Sequence, residues 1–252
     1  MRLAVISDIH GNLLALDAVL ADITLRGVDQ TVNLGDCVTS PLWPRETFER
    51  LQPLGLPTVR GNHDRWIVAK PRGELSPSGR YAHDSLSAAQ RETLHALPAT
   101  LALTPDVLAV HGTPSDDSCY LGEEMLDGRL VPAKRETIIQ RLGATRVPLI
   151  LCGHSHRAYL LQAPDGGLIV NPGSVGCPVF ADSPTALALE PRSPHARYAV
   201  ITQRHGRWTA EFHVIDYDWD AAARQAKDNR RADWASALST GMVAKPVIHA
   251  GS

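Results

Sequence analysis

Short apolar runs and longer amphipathic stretches alternate along the first part of the chain. Residues 3–7 form a brief apolar run closed by Ser7 that suits a buried parallel strand. Asn12 then precedes Leu13, Leu16, Val19, Leu20 and Ile23 at helical spacing, with Gly27 as the stop, so a capped amphipathic helix is expected. A second strand over 31–34, a helix over 44–51 and a third strand over 57–60 complete a βαβαβ pattern with a parallel sheet.

Beyond it the pattern is less regular over 69–98, with a helical stretch near 87–97. Buried strands are expected at 107–110 and 148–151, with a helix near 133–142 between them. Alternation then takes over. Residues 159–161 and 168–170 flank Asp165-Gly166-Gly167, and residues 198–202 and 208–214 flank His205-Gly206-Arg207, two hairpin signals. A last helix is expected over 219–238, followed by a tail over 240–252. With no repeat or linker, the pattern suits a single domain over 1–252, a mixed and an antiparallel sheet packing face to face.

Composition narrows the class without naming a chemistry. The 252 residues are 44% hydrophobic and 21% charged, as in an ordinary globular protein. A net charge of −2 gives no basic footprint, so no stable nucleic-acid binding is expected. The four cysteines form neither a C-x-x-C pair nor a disulfide framework, which fits a reducing compartment. The N-terminal apolar run is interrupted by Asp8 and His10 too early for a signal peptide, and no segment has the length of a membrane span. A cytoplasmic protein with no membrane partner is expected.

The chemistry lies in five short motifs that fall where expected strands end. They are Asp8-Ile9-His10, Gly35-Asp36, Gly61-Asn62-His63-Asp64, His111-Gly112 and Gly153-His154-Ser155-His156. Ligands of open α/β sheets bind beyond the carboxyl ends of strands, so motifs distant in sequence can converge there. In extended chain, residues two apart face the same way, so Asp8/His10 and His154/His156 can each offer two side chains to one site. Carboxylate, imidazole and amide oxygen together suit Mn, Fe, Zn or Co better than Ca or Mg. One such motif alone is weak; the ordered series is strong.

In order and type, the five motifs resemble the D-x-H, G-D, G-N-H-[DE], H and G-H-x-H pattern of the calcineurin-like metallophosphoesterases. Asn171-Pro172-Gly173-Ser174 further resembles a loop of the compact bacterial and archaeal branch related to diadenosine tetraphosphate hydrolases. The resemblance implies an α/β (α+β) fold, a four-layer αββα sandwich with two mixed sheets face to face and helices outside. It implies two divalent metal ions, Mn or Fe foremost, with Zn, Ni or Co as alternatives. One would sit on Asp8, His10, Asp36 and His156, the other on Asp36, Asn62, His111 and His154, with Asp36 bridging. A hydroxide shared by the ions would attack phosphorus in line. His63 would contact the phosphate and protonate the leaving oxygen, as an imidazole near its ordinary pKa can.

The expected activity is therefore hydrolysis of a small phosphorylated substrate, a phosphodiester or nucleotide anhydride ahead of a phosphomonoester or phosphoprotein. The protein phosphatase branch continues its second motif as G-D-x-x-D-R, but Thr39-Ser40 stand here, so the partner that orients His63 is open. Arg60 and Asp64 are candidate substitutes: Arg60, beside Asn62 and His63, as a substrate contact; Asp64 as either a catalytic partner or a turn and cap residue. The remaining histidines, His83, His95, His195, His205, His213 and His249, have no comparable setting. Substrate recognition is expected from 69–98 and 113–131, with Arg80, Tyr81, His83 and Tyr120 as contacts. The basic run 227–231 reads as the solvated face of the last helix.

Overall fold

A computed structural model describes residues 1–127, 129–179 and 191–243. In chain order, β1 (Arg2–Ile6), α1 (Leu13–Arg26), β2 (Gln30–Asn33), α2 (Pro44–Leu51), α3 (Asn62–Ala69), α4 (Pro77–Ser85) and α5 (Ala88–His95) come first. Next are β3 (Thr100–Thr104), β4 (Val107–Val110), β5 (Glu123–Leu126), β6 (Arg129–Pro132), α6 (Arg135–Leu142), β7 (Leu149–Leu151), β8 (Ala158–Gln162) and β9 (Leu168–Pro172). The hairpin β10 (Ala196–Arg204) and β11 (Arg207–Ile215) precedes α7 (Trp219–Asp228) and α8 (Ala232–Thr240).

The strands build two large sheets, in the orders β11-β10-β1-β2 and β3-β4-β7-β9-β8, and β5-β6 forms a separate hairpin. Both large sheets are mixed. In the first, β1 runs parallel to β2 and antiparallel to β10, with Leu3 opposite Ile201. In the second, β4, β7 and β9 are parallel neighbours, with β3 and β8 antiparallel at the edges. The expectation of one purely antiparallel sheet fails because β9 leaves its β8 hairpin to pair in parallel with β7.

Strand alternation sorts the apolar residues into layers. Leu3 and Val5 meet Leu149, Leu151 and Val170 in the core between the sheets. Ala4 and Ile6 point the other way, onto α1, α7 and α8 through Leu16, Val19, Ala222 and Leu238. On the far side, Ile150 and Ile169 pack on Ile138 and Leu142 of α6. The result is the αββα layering that the resemblance implies.

Two further expectations need correction. The third strand at 57–60 shrinks to a single parallel bridge between Asn33 and Thr58. The ladder stops because the Arg60 amide donates to Pro98 O and Gly61 then opens α3. The last helix is two helices. Arg230 adopts a left-handed backbone (φ 59°), and the Arg231 amide closes back onto Ala226 O, a C-terminal cap in which Arg stands where Gly is usual. Asn229 pins the break by donating to Pro41 O (2.7 Å) and Tyr81 Oη (2.9 Å). Of the expected tail, 244–252 lies outside the described residues. Within 69–98, α4 begins with a Ser76 cap and Pro77 in its first turn, a signal present in the sequence.

Candidate metal centre

Every parallel strand of both sheets ends in the same region. Asp8 and His10 follow β1, Asp36 follows β2, Asn62 and His63 open α3, His111 follows β4, and His154 and His156 follow β7. Two buried groups form there, Asp8/His10/His156 and Asp36/His111/His154, each with its donor atoms within 4.8 Å of one another. Asp36 lies between them: its Oδ2 is 3.6 Å from His10 Nε2 and 3.4 Å from His111 Nε2. Asn62 Oδ1 is 3.0 Å from His111 Nε2.

The local backbone is not the extended chain assumed for D-x-H and H-x-H. Asp8, His10, Asp36, His154 and His156 all have left-handed conformations, with φ of 54°, 46°, 55°, 68° and 59°. Such backbone is costly for residues with a Cβ and persists only where the surroundings enforce it. Here the amides of Asp8 and His10 donate to Gly35 O and Asp36 O, lacing the two ligand loops together. Asp64 adds a second clamp: its Oδ2 accepts from the amides of Asp36 (2.8 Å) and Gly61 (3.0 Å), and its Oδ1 from Cys37 (3.0 Å). Asp64 is thus a loop-tying and capping residue, both of whose carboxylate oxygens are taken up by backbone amides. Burial, with Asp36 beside it, pushes its carboxyl up to about 7.

The imidazoles are oriented by backbone carbonyls. His10 Nδ1 faces Thr39 O (2.9 Å), His111 Nδ1 faces Leu34 O (2.7 Å) and His156 Nδ1 faces Cys177 O (2.8 Å). A proton on each Nδ1 leaves Nε2 turned inward, the arrangement in which histidines bind metals. Two inward Nε2 atoms, of His10 and His156, come within 3.2 Å of each other. Asp8 Oδ2 accepts from Ser7 Oγ and the His154 amide, while the buried Oδ1 lies 3.3 Å from His156 Nε2, an ion pair whenever that imidazole carries its second proton. A buried carboxylate oxygen with the Nε2 atoms of His156, His10 and His111 at 3.3, 3.9 and 4.0 Å fits a cation in their midst.

Electrostatics divides the histidines. Burial opposes charge on His111, but Asp36 outweighs it and carries the group up to about 10. His156 is likewise held well above its ordinary value by Asp8, against burial. Burial wins at His10 and His154, both pushed down to about 4. In Asp8, burial is outweighed by His156, which brings the carboxyl down to about 2.

His63 sits at the rim with its amide on Asp36 Oδ1 (2.9 Å). Its ring lies between His10 and Trp66, with centroids 5.3 and 5.0 Å away. Among the described residues no carboxylate holds that ring; aromatic edges do. Arg60 is not brought to the site. Its Nη1 donates to His95 O (2.7 Å), tying α5 to the loop before α3. Arg80 is likewise spent on Leu75 O, and Tyr81 accepts from Asn229, whereas Tyr120 stacks on His154 at 4.8 Å. The Asn171-Pro172-Gly173-Ser174 loop supports the ligand loops: Asn171 Nδ2 donates to Gly153 O and Ser174 Oγ to Asp8 O.

Two pockets of about 270 Å³ each meet at His63, Thr39 and Ser76. One runs along His10 and His156 to Val179 and to Arg231, Trp234 and Leu238 at and in α8; the other runs along Trp66, Lys70 and Glu74. Sequence patterning misses the α8 wall, because Trp234 reads as an ordinary apolar position of an amphipathic helix. Arg231 is likewise at the site instead of on a solvated face. A larger open crevice of about 640 Å³ lies at the opposite end of the strands, bordered by Arg146, Gly167 and Trp208.

The chain matches the calcineurin-like phosphoesterase superfamily domain over residues 1–193 and belongs to that family of phosphoric ester hydrolases. An uncharacterized protein of Methanocaldococcus jannaschii is 27% identical over 252 residues, covering 92% of this chain and 94% of its own. The crystal structure of a metallophosphoesterase from Sphaerobacter thermophilus is similar with a TM-score of 0.72 at 25% identity, covering 96% of this chain and 100% of that one. A hypothetical protein of Pyrococcus horikoshii shares the fold with a TM-score of 0.74 at 20% identity, covering 96% and 99%. No helix among the described residues is long and apolar enough to cross a membrane.

Proposed function

We propose that the chain hydrolyses small phosphodiesters or phosphoanhydrides at a dinuclear centre held by Asp8, His10, Asp36 and His156 on one side and Asp36, Asn62, His111 and His154 on the other. The observation that carries the reading is the pair of adjacent buried donor groups with Asp36 Oδ2 between them, 3.6 Å from His10 Nε2 and 3.4 Å from His111 Nε2. When bound, two divalent ions supply Lewis-acid charge and an activated water. The chain's own part is positional. The backbone carbonyls of Leu34, Thr39 and Cys177 fix three imidazoles, and Asp64 and the Asp8–His10 amides fix the loop bearing Asp36. His63, near the rim and beside both pockets, is placed to donate a proton to the leaving oxygen.

Preference for a diester over a monoester is supported by the two pockets that diverge from His63, room for an organic group on each side of one phosphorus. Thr39-Ser40 in place of an Asp-Arg pair argues against phosphoproteins, since neither side chain can supply the guanidinium that clamps the phosphate in that branch.

The test is turnover of bis(para-nitrophenyl) phosphate and para-nitrophenyl phosphate by chelator-stripped protein reloaded with manganese or iron, beside His63→Ala and His154→Ala. Activity should appear only on reloading, favour the diester, and fall in both variants. A fully loaded wild type that hydrolyses neither ester ends the catalytic reading.

A further inference from the structure

We propose that Trp234 of α8 is a specificity-determining residue, the wall on which a flat apolar arm of the substrate packs beside the candidate metal ligands. The inference rests on the phosphoester reading above and names the kind of organic group that site takes: an aryl or nucleobase-like ring close to phosphorus.

Position comes first. The Trp234 indole stands edge-on to the His10 imidazole, with ring centroids 6.3 Å apart and planes at 65°. A phosphoryl group held at His10 and His156 would therefore direct one of its arms along the indole. Val179, Ala237 and Leu238 extend the apolar side of that lobe beside the indole, and Ser76, Ser78 and Asp233 line its polar side. Among the described residues its one arginine or lysine is already committed: Arg231 makes two bonds to Asp233 (2.8 and 2.6 Å) and one to Ser78 (2.7 Å). The lobe thus has little to offer a second anion and much to offer a ring, whose stacking on an indole adds to simple burial. Its volume of about 270 Å³ lies just below the about 300–1,000 Å³ of pockets that hold whole drug-sized ligands. One ring-sized arm fits; a folded protein loop does not.

The wall is also rigid. Asn229 anchors the turn before α8 to Pro41 and Tyr81, Arg231 anchors its first residue to α4, and Trp234 packs against the core beneath the helix. A wall fixed in advance loses little entropy on binding. It comes from residues beyond 193, outside the matched family domain, so it belongs to the part of the chain that the shared motifs do not specify.

Calorimetric titration of the manganese-loaded full chain with phenylphosphonate and methylphosphonate tests the wall without turnover. Wild type should bind the phenyl compound at least about tenfold more tightly, the factor that roughly 1.4 kcal/mol gives. Trp234→Phe should keep the preference, and Trp234→Ala should reduce it to about twofold or less. Ala237→Leu, which fills the same lobe and leaves the indole in place, should do likewise and covers the case in which the alanine variant does not fold. A wild-type ratio near one overturns the proposal, as does a ratio unchanged in both Trp234→Ala and Ala237→Leu. Hydrolysis without phenyl preference would sink the wall alone; phenyl preference without any hydrolysis would sink the catalytic reading and leave the wall standing.

Discussion

Metal uptake by this site should be steeply pH-dependent, and the slope follows from the imidazoles. Burial opposes charge on all four, yet His111 is carried up to about 10 by Asp36 and His156 well above its usual range by Asp8. His10 and His154, where burial dominates, are pushed down to about 4 and are neutral at pH 7. In the metal-free protein two protons therefore sit where cations would bind. Each must leave before its nitrogen can act as a ligand. In a range around neutral pH, loading both positions should release about two protons, so the overall binding constant should rise roughly a hundredfold per pH unit there.

Asp8→Asn should remove the anion that holds the His156 proton and bring the release to about one. The assay is calorimetry of manganese binding in buffers of different ionisation enthalpy, repeated across that range. A release near zero at pH 7 would refute the argument, because His111 and His156 would then be neutral in the free site. The same shifts bear on the metal-free fold. A His whose pKa is raised on folding stabilises fully below its unfolded value near 6.5, and that stability is lost as pH climbs through about 10. Metal-free protein should melt progressively lower toward pH 10.

Other outcomes follow from single residues. Glu123 is buried behind the His154-Ser155-His156 loop, and burial raises its carboxyl from 4.5 to about 7. The folded chain keeps that proton while the unfolded chain loses it, so stability should fall by about 3 kcal/mol between those pH values. Glu123→Gln should remove that fall, and identical pH–stability curves for the two proteins would contradict it. Gly61→Ala would place a Cβ 2.1 Å from Asp36 Oδ1 and 2.4 Å from its amide. Overpacking of that kind costs about 1–3 kcal/mol and should displace Asp36, so elemental analysis should find less than full occupancy after dialysis. Arg60→Gln should cost about 1 kcal/mol in chemical denaturation through the lost His95 contact while kcat/KM stays near wild type. A large rise in KM would return Arg60 to the site.

The proposed ligand set is legible because it consists of motifs at strand ends, and strand ends are readable from short apolar runs. Asp8, Asp36, His111 and His154 each follow such a run, and the sheet order then brings them together. Their partners were not legible. Leu34, Thr39 and Cys177 act through backbone carbonyls, which any residue would supply, and the left-handed backbone at Asp8 and His10 has no glycine to announce it. Nearness of Arg60 in sequence to Asn62 and His63 says nothing of direction where a strand gives way to a helix, and its side chain reaches His95 O instead. The paired helices α7 and α8 were read as one, since their apolar residues continue through the break and Arg230 stands where a glycine would have marked it. In the β5-β6 hairpin, Glu123 and Glu124 opening the first strand hide the alternation that a hairpin normally displays.

Left-handed backbone at five ligand positions also bears on how much protein a cell retains. Each such residue costs on the order of 1–3 kcal/mol, though less for Asp than for His, out of a total stability that is typically about 5–15 kcal/mol. Ligands that bind only the folded chain restore that loss in proportion to the logarithm of their free concentration. Chains made when metal is scarce would carry the strain uncompensated and open more often to proteases. Metal supply would then set the abundance of this enzyme as well as its activity, and a variant with glycine at His10 would lessen that dependence at one of the five positions by giving up a proposed ligand.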